Sequence, residues 1–146
     1  MTPIKNGRLI FSSIPKGYPV PGETTIYDTE EIDLDNVPID GGLLIKTLYL
    51  SVDPYLRGRM RPNTTKSYSA AFALGKPIFG YGVGQVLRSE RADAKVGDTI
   101  WSPEIPFQQY GTLSAKARVM VLKNEANLPL SIYTGVLGMP GMSYSA

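Results

Sequence analysis

Ile78-Phe79-Gly80-Tyr81-Gly82-Val83-Gly84-Gln85-Val86-Leu87 spaces three glycines two residues apart among apolar side chains. A dinucleotide-binding turn needs a strand before its glycines and a helix after them, because the helix N-terminus receives the pyrophosphate. Here Gln85-Val86-Leu87 carries the extended pattern onward, and the glycine spacing is not that of the fingerprint. The stretch therefore reads as a strand whose missing side chains allow close packing or sharp curvature. That choice sets aside a nucleotide-binding fold for these residues.

The flanking sequence has the same character. Arg8–Phe11 is a short strand, stopped by Ile14-Pro15-Lys16-Gly17-Tyr18-Pro19-Val20-Pro21-Gly22. Each proline there removes a donor and fixes φ, so the run is neither helix nor central strand. A strand is predicted over Thr25–Leu34, with Ile26, Ile32 and Leu34 in partial alternation, and Gly41-Gly42 turns the chain into Leu43–Leu50, the strongest strand signal. Asp53 as N-cap and Pro54 as first helical residue predict one or two helical turns before Gly58 weakens them. Arg61–Ser69 is polar and reads as a mobile loop. Lys95-Val96-Gly97-Asp98 turns into a strand at Thr99-Ile100-Trp101, and Arg118–Leu122 supplies a late strand. After Pro129, Ile132, Val136, Leu137 and Met139 begin a helical pattern that Pro140-Gly141 interrupts. Many short strands between Gly/Pro turns make the chain mainly β, a barrel with short helices.

Composition limits the chemistry. The 146 residues include no Cys and no His, which excludes a disulfide, a thiolate nucleophile, a Ser-His triad and a Cys/His zinc site. A carboxylate site for magnesium or calcium stays open, but no loop has the required spacing. Fifteen Lys+Arg against 13 Asp+Glu leave a net charge of +2, too small to make nucleic acid or an anionic membrane the main partner. No apolar run approaches the roughly 20 residues that span a bilayer, and Met1–Ile10 lacks a signal-peptide core. A single cytoplasmic domain is the expectation.

Three local features bear on function. Tyr55 lies on the short helix; a phenol with an ordinary pKa of about 10 stays protonated near neutrality and could donate to a substrate carbonyl. Its alternative is a core or rim tyrosine, one of nine. Arg57, Arg59 and Arg61 form a cationic cluster whose ordinary reading is a solvated surface and whose alternative is phosphate binding. Asp98 reads as a turn residue.

Several motifs together resemble a known family. Leu48-Tyr49-Leu50-Ser51-Val52-Asp53-Pro54-Tyr55-Leu56-Arg57-Gly58-Arg59-Met60 resembles the hallmark of zinc-independent medium-chain reductases. The branch is that of the leukotriene B4 dehydrogenase/prostaglandin reductases and the plant and fungal alkenal double-bond reductases. Asn6–Ile10 and Pro15–Gly22 resemble its opening, Tyr68–Pro77 leading into Gly80-Tyr81-Gly82-Val83 its middle, and Tyr133–Ser143 its interdomain motif. Ser143 stands where the family usually has Thr, and Tyr144-Ser145-Ala146 departs from the usual continuation.

The resemblance implies a GroES-like, partly open β-barrel over residues 1–130 and the start of an interdomain helical segment over 131–146, without the family's Rossmann domain. It implies the N-terminal substrate-binding and catalytic part of an NADP-dependent alkenal/enone reductase. In that chemistry hydride reaches the β-carbon of an α,β-unsaturated carbonyl and a proton the α-carbon. Tyr55 resembles the tyrosine that meets the carbonyl and Tyr68 the aromatic of the substrate loop; Met60 and Phe72 complete the expected substrate side. Met139 and Ser143 resemble contacts to the nicotinamide end. NADP is the family's cofactor, and tight binding by this chain alone is not expected, since hydride chemistry belongs to the cofactor and its phosphate cradle is not in this sequence. The chain alone is expected to be inactive as a reductase. An uncovered apolar face implies a homo-oligomer or the Rossmann half as partner. Two other readings stand beside this one: a stand-alone binding module, and a cofactor-independent catalyst using Tyr55 and Tyr68 as donors.

Overall fold

Leu43-Leu44-Ile45 is fully buried, and from this apolar anchor the sheet is built. In the computed structural model, which describes residues 3–138, β1 spans Ile4–Phe11, β2 Thr25–Ile32 and β3 Leu43–Leu50. After the helix α1, Tyr55–Arg59, come β4 (Phe79–Ser89), β5 (Thr99–Pro106), β6 (Tyr110–Leu113) and β7 (Met120–Val121). A 3-10 turn closes the described chain at Leu130–Thr134. β1 and β2 form an antiparallel ribbon; the other strands form an antiparallel sheet in the order β6-β3-β4-β5-β7.

The two sheets are latched by β1 without closing. Leu9 donates from its backbone to Phe107 and Phe11 to Lys76, while Ile78 and Gly75 donate back to Leu9 and Phe11. Asn6 acts as a piece of strand: its buried side-chain amide donates to the Tyr110 carbonyl at 2.8 Å and accepts from the Tyr110 N–H at 2.9 Å. Both polar ends are satisfied, so burial costs little. The result is mainly β, as the strand and turn pattern predicts, and a partly open barrel, as the family resemblance implies.

Two apolar clusters fill it. One joins Leu43, Ile45, Val86, Ala94, Ile100, Ile105, Leu113 and Ala117 under the large sheet. The other joins Phe11, Leu56, Met60, Phe72, Ile78 and Phe107 where β1 and α1 meet the Phe72 loop. Each fully buried Leu, Ile or Phe contributes about 1.5–3 kcal/mol.

The glycine strand is β4, and its glycines are contact points. A Cβ at Gly82 would stand 2.6 Å from the Tyr49 carbonyl oxygen, and one at Gly84 3.0 Å from Ile45 Cδ1. The β3–β4 register shifts between Thr47 and Tyr49, so the strands meet most tightly beside a bulge. The Lys95–Asp98 turn forms as expected: Gly97 adopts φ 91° and the Asp98 carboxylate accepts the Lys95 N–H at 2.7 Å.

Several boundaries differ from expectation. β1 begins at Ile4, because the Asn6 amide and backbone pairing with β2 extend it toward the N-terminus. β5 runs on to Pro106 beside β4, and β6 was not foreseen; it is short and identified by its pairing with β3. The late strand contracts to Met120–Val121, opposite only Ile100 and Trp101. The expected helix after Pro129 is a 3-10 turn, and its Met139 lies outside the described residues. Among the described residues no helix is long and apolar enough to cross a membrane.

Gly82→Ala is expected to lower unfolding stability by about 1–3 kcal/mol, because backbone rather than a flexible side chain blocks the new methyl. Chemical denaturation checks this; an unchanged midpoint contradicts the close approach.

Candidate functional site

Past Leu50 the chain leaves the sheet through Ser51-Val52-Asp53-Pro54 and winds into α1. The expected Asp53 cap is not made. Pro54 is the N-cap at φ −57°, ψ −30°, with no side-chain cap, and the Asp53 carboxylate instead accepts the Ser51 hydroxyl at 2.9 Å. Burial explains this: only 7% of Asp53 is exposed, and Ser51 is the donor within reach. The second Asp53 oxygen is buried without a partner among the described residues. Ser51 Oγ also lies 3.3 Å from the Thr134 carbonyl, which docks the 3-10 turn beside α1. The helix is a single short turn, as expected, and stops at Arg59, one residue past Gly58.

Tyr55 opens α1 and is half-buried. Its ring meets Tyr81 edge-on, with centroids 5.9 Å apart, and Tyr81 leans on Trp101 at 5.4 Å. The phenol oxygen lies over Gly80, where a Cβ would come within 3.2 Å of it. Gly80 is therefore a seat for this hydroxyl. Burial pushes the Tyr55 phenol above its ordinary 10.0; the Arg59 guanidinium opposes that, while the Asp53 carboxylate and Tyr81 reinforce it. Near neutrality the group is a neutral donor.

The arginine cluster is not uniformly solvated: Arg57 and Arg61 are partly exposed, but Arg59 is not. Arg59 is buried, with its guanidinium 4.3 Å from the Phe72 ring centroid and 4.1 Å from that of Phe79. It donates to the Ala70 carbonyl at 2.9 Å and to Phe79 at 3.3 Å. Burial lowers its pKa from the ordinary arginine value, with Tyr55 opposing the shift, and an arginine remains charged at any ordinary pH. Arg57 reaches back to the Gly17 and Pro15 carbonyls, and Arg61 binds the Gly58, Thr65 and Ser69 carbonyls. The three cations are staples that hold the Pro15–Gly17 and Arg61–Phe72 segments onto α1. Charge spacing alone gives no sign of this, because the carbonyl acceptors and rings arrive from distant segments.

The expected substrate residues do not gather in one cavity. Met60 belongs to the second apolar cluster and lines a cleft of about 310 Å³ with Leu9, Val52, Asp53, Leu56 and Phe107. Phe72 is 4% exposed and lines a separate depression with Ile14, Arg61 and Leu74. Tyr68 stands 92% exposed in its loop. Phe72 is connected to Tyr55 through Arg59 and through the second apolar cluster, which holds Phe72 and Met60 and against which Tyr55 packs. Met139 and Ser143 lie outside the described residues. Sequence reading names Arg59 only as one of a cationic cluster and misses its burial beside Tyr55, as it misses the Tyr81–Trp101 pair; the four-residue spacing of Tyr55 and Arg59 on one helix is the signal on offer for the former.

A dinucleotide phosphate does not fit the described residues. Gly80, Gly82 and Gly84 lie within the continuous strand β4, and the space beside them is taken by the Tyr55 hydroxyl, the Tyr49 carbonyl and Ile45. No helix N-terminus follows them to face an anion.

Comparison with known proteins places these features. Residues 8–121 match a family described as the N-terminal domain of oxidoreductase. The chain is 38% identical over 142 residues to the NADP-dependent oxidoreductase RED1 of Cochliobolus heterostrophus, covering 95% of this chain and 40% of that one. It is 36% identical over 140 residues to the NADP(+)-dependent 2-alkenal reductase of Nicotiana tabacum, covering 96% of this chain and 40% of the relative. The crystal structure of CurA from Vibrio vulnificus in complex with NADPH superposes with a TM-score of 0.77 at 29% identity, over 95% of this chain and 39% of CurA. The chain thus spans about 40% of the length of these relatives.

Tyr55 is expected to ionise above 10.0 and later than an exposed tyrosine. Past pH 10 the unfolded chain releases a proton that the folded chain keeps, so this phenol's contribution to stability falls as pH rises and is complete below. Ultraviolet titration of phenolate in wild type and Tyr55→Phe checks this; a difference curve centred at or below 10 contradicts it.

Proposed function

From the premise that the chain belongs to the family of N-terminal domains of oxidoreductases, we propose that it forms the substrate side of an NADP-dependent reductase of α,β-unsaturated aldehydes or ketones. The observation that carries this reading is Tyr55: a neutral phenol on a short, stapled helix, whose hydroxyl proton no carbonyl or carboxylate accepts among the described residues. A relative named as a 2-alkenal reductase and the NADPH complex of CurA support the substrate class and the cofactor.

On this reading Tyr55 donates a hydrogen bond to the carbonyl oxygen of the substrate. As the conjugated double bond accepts electron density, negative charge grows on that oxygen, and a donor already in place stabilises it. The raised pKa keeps the proton on the phenol, so Tyr55 polarises the carbonyl without surrendering its hydrogen. NADPH supplies the hydride when bound. Zinc has no part in the proposal, since the carbonyl is met by a phenol and the sequence has neither Cys nor His. Tyr68, Met60 and Phe72 are proposed as the remaining substrate wall: Met60 and Phe72 already share the apolar cluster against which Tyr55 packs, and the exposed Tyr68 joins them when a ligand or further polypeptide closes its loop over the helix. Met139 and Ser143 are proposed to face the nicotinamide.

Residues 1–130 are proposed as the substrate domain and 131–146 as the start of the segment leading toward a cofactor domain. Val52 at 83% exposure and Val136 at 78% flank the Ser51–Thr134 contact. Apolar side chains so exposed on adjoining segments support an association face there, for a cofactor domain or a second copy.

The test joins residues 1–146 to the remaining part of the tobacco 2-alkenal reductase and follows NADPH oxidation with an aliphatic alkenal. Turnover is expected in the fusion and not in the chain by itself, and Tyr55→Phe in the fusion should lower kcat/KM by about 10²-fold. A folded fusion without turnover, or full activity in the Phe variant, overturns the proposal.

A further inference from the structure

Tyr55 and Arg59 are four residues apart on one helix, so their side chains lie on the same face. The guanidinium cannot wander: two carbonyls fix it from different segments, and the rings of Phe72 and Phe79 enclose it. One of those carbonyls belongs to Phe79, and the next residue, Gly80, is the seat of the Tyr55 hydroxyl. Cation and phenol oxygen thus converge on the same two residues of β4. No carboxylate forms an ion pair with Arg59 among the described residues. For packing alone, a methionine would fill the slot between two rings without the cost of burying a charge.

We propose that Arg59 is a positioning residue for Tyr55: its caged guanidinium engages the phenol oxygen, so that the hydroxyl hydrogen is turned toward an incoming carbonyl. The proposal rests on the reading of Tyr55 as the carbonyl donor. A guanidinium has five N–H donors in a planar fork, enough to bind two backbone carbonyls and still address a phenol. A phenol whose oxygen accepts from a cation is a stronger donor, because hydrogen bonds in a chain polarise one another. A Cβ at Gly80 would stand 3.2 Å from both the Tyr55 oxygen and Leu56 Cδ2, so a side chain there would make one or both give way slightly. The charged and titratable groups acting on this pair are Asp53 and Tyr81 toward Tyr55, and Arg61 and Glu104 toward Arg59.

The test uses the chain with carbon-labelled tyrosine, whose Tyr55 resonance is assigned by its loss in Tyr55→Phe. In Arg59→Met the Tyr55 ionisation should move upward by ~0.5 pH unit or more, since an opposing positive charge has gone, and Arg59→Lys should restore part of it. A folded Arg59→Met protein with an unmoved Tyr55 titration overturns the proposal. Should the Met variant not fold, Arg59→Lys and Tyr55→Phe are combined in a double-mutant cycle of thermal melts. Loss of the hydroxyl should then cost stability beside Arg59 and less beside Lys, and strict additivity overturns the proposal. Cyclohexenone as probe separates the two readings. Its perturbation of the Tyr55 resonance should weaken about 10-fold in Arg59→Met or Arg59→Lys. If it leaves wild-type Tyr55 untouched, the carbonyl reading fails, while the titration still decides whether Arg59 governs the phenol.

Discussion

A guanidinium buried between two phenylalanine rings is the constraint from which the site takes its shape. Arg59 belongs to α1, its carbonyl partners to the loop at Ala70 and to β4 at Phe79, and its rings to Phe72 and Phe79. A cation withdrawn from water is costly unless its donors and its charge are both met. Here two carbonyls meet two of its donors and ring quadrupoles meet the charge, each such ring worth about 2 kcal/mol when desolvated. Helix, loop and strand must therefore arrive together, and a five-residue helix too short to persist by itself is held in one orientation. Arg57 and Arg61 extend the arrangement to the Pro15–Gly17 segment and the polar loop.

The position of Tyr55 depends on this scaffold and on the tight apposition of β3 and β4. The glycines of β4 serve two neighbours: Gly82 admits the backbone of β3, and Gly80 admits the Tyr55 phenol. β1 then latches the ribbon to the rest through Asn6 and the Leu9–Phe107 bond, and the second apolar cluster forms beneath α1. A half-buried phenol with a raised pKa follows directly: the helix cannot swing it into water, and the low-dielectric surroundings disfavour its anion.

Much of the barrel is legible in local chemistry. The Leu43–Leu50 run, the prolines after Ile14, the Gly97 turn and the continued extension after Gly84 each carry their own physical signal, and each takes the form that signal predicts. Strand ends are less legible, because β6 and the far half of β5 exist by virtue of pairing rather than apolar pattern. For the site, the sequence directs attention to Tyr55 and its motif. It misreads the arginines: their aromatic and carbonyl partners lie as far as 42 residues away, and no spacing rule reports them. It also places Tyr55, Tyr68, Met60 and Phe72 in one set; the fold packs Tyr55 against an apolar cluster that holds Met60 and Phe72, while Tyr68 stands in solvent.

By itself the sequence determined the mainly β character, the absence of Cys and His chemistry, the lack of a dinucleotide turn in the glycine strand, and the motif around Tyr55. These follow from backbone restrictions and side-chain identity, which are local properties. Only the tertiary structure decided that Asp53 turns to Ser51 instead of capping α1, that Arg59 is caged, and that Gly80 seats the phenol. Those outcomes depend on which groups are desolvated together, and desolvation is set by the packing of segments remote in the chain.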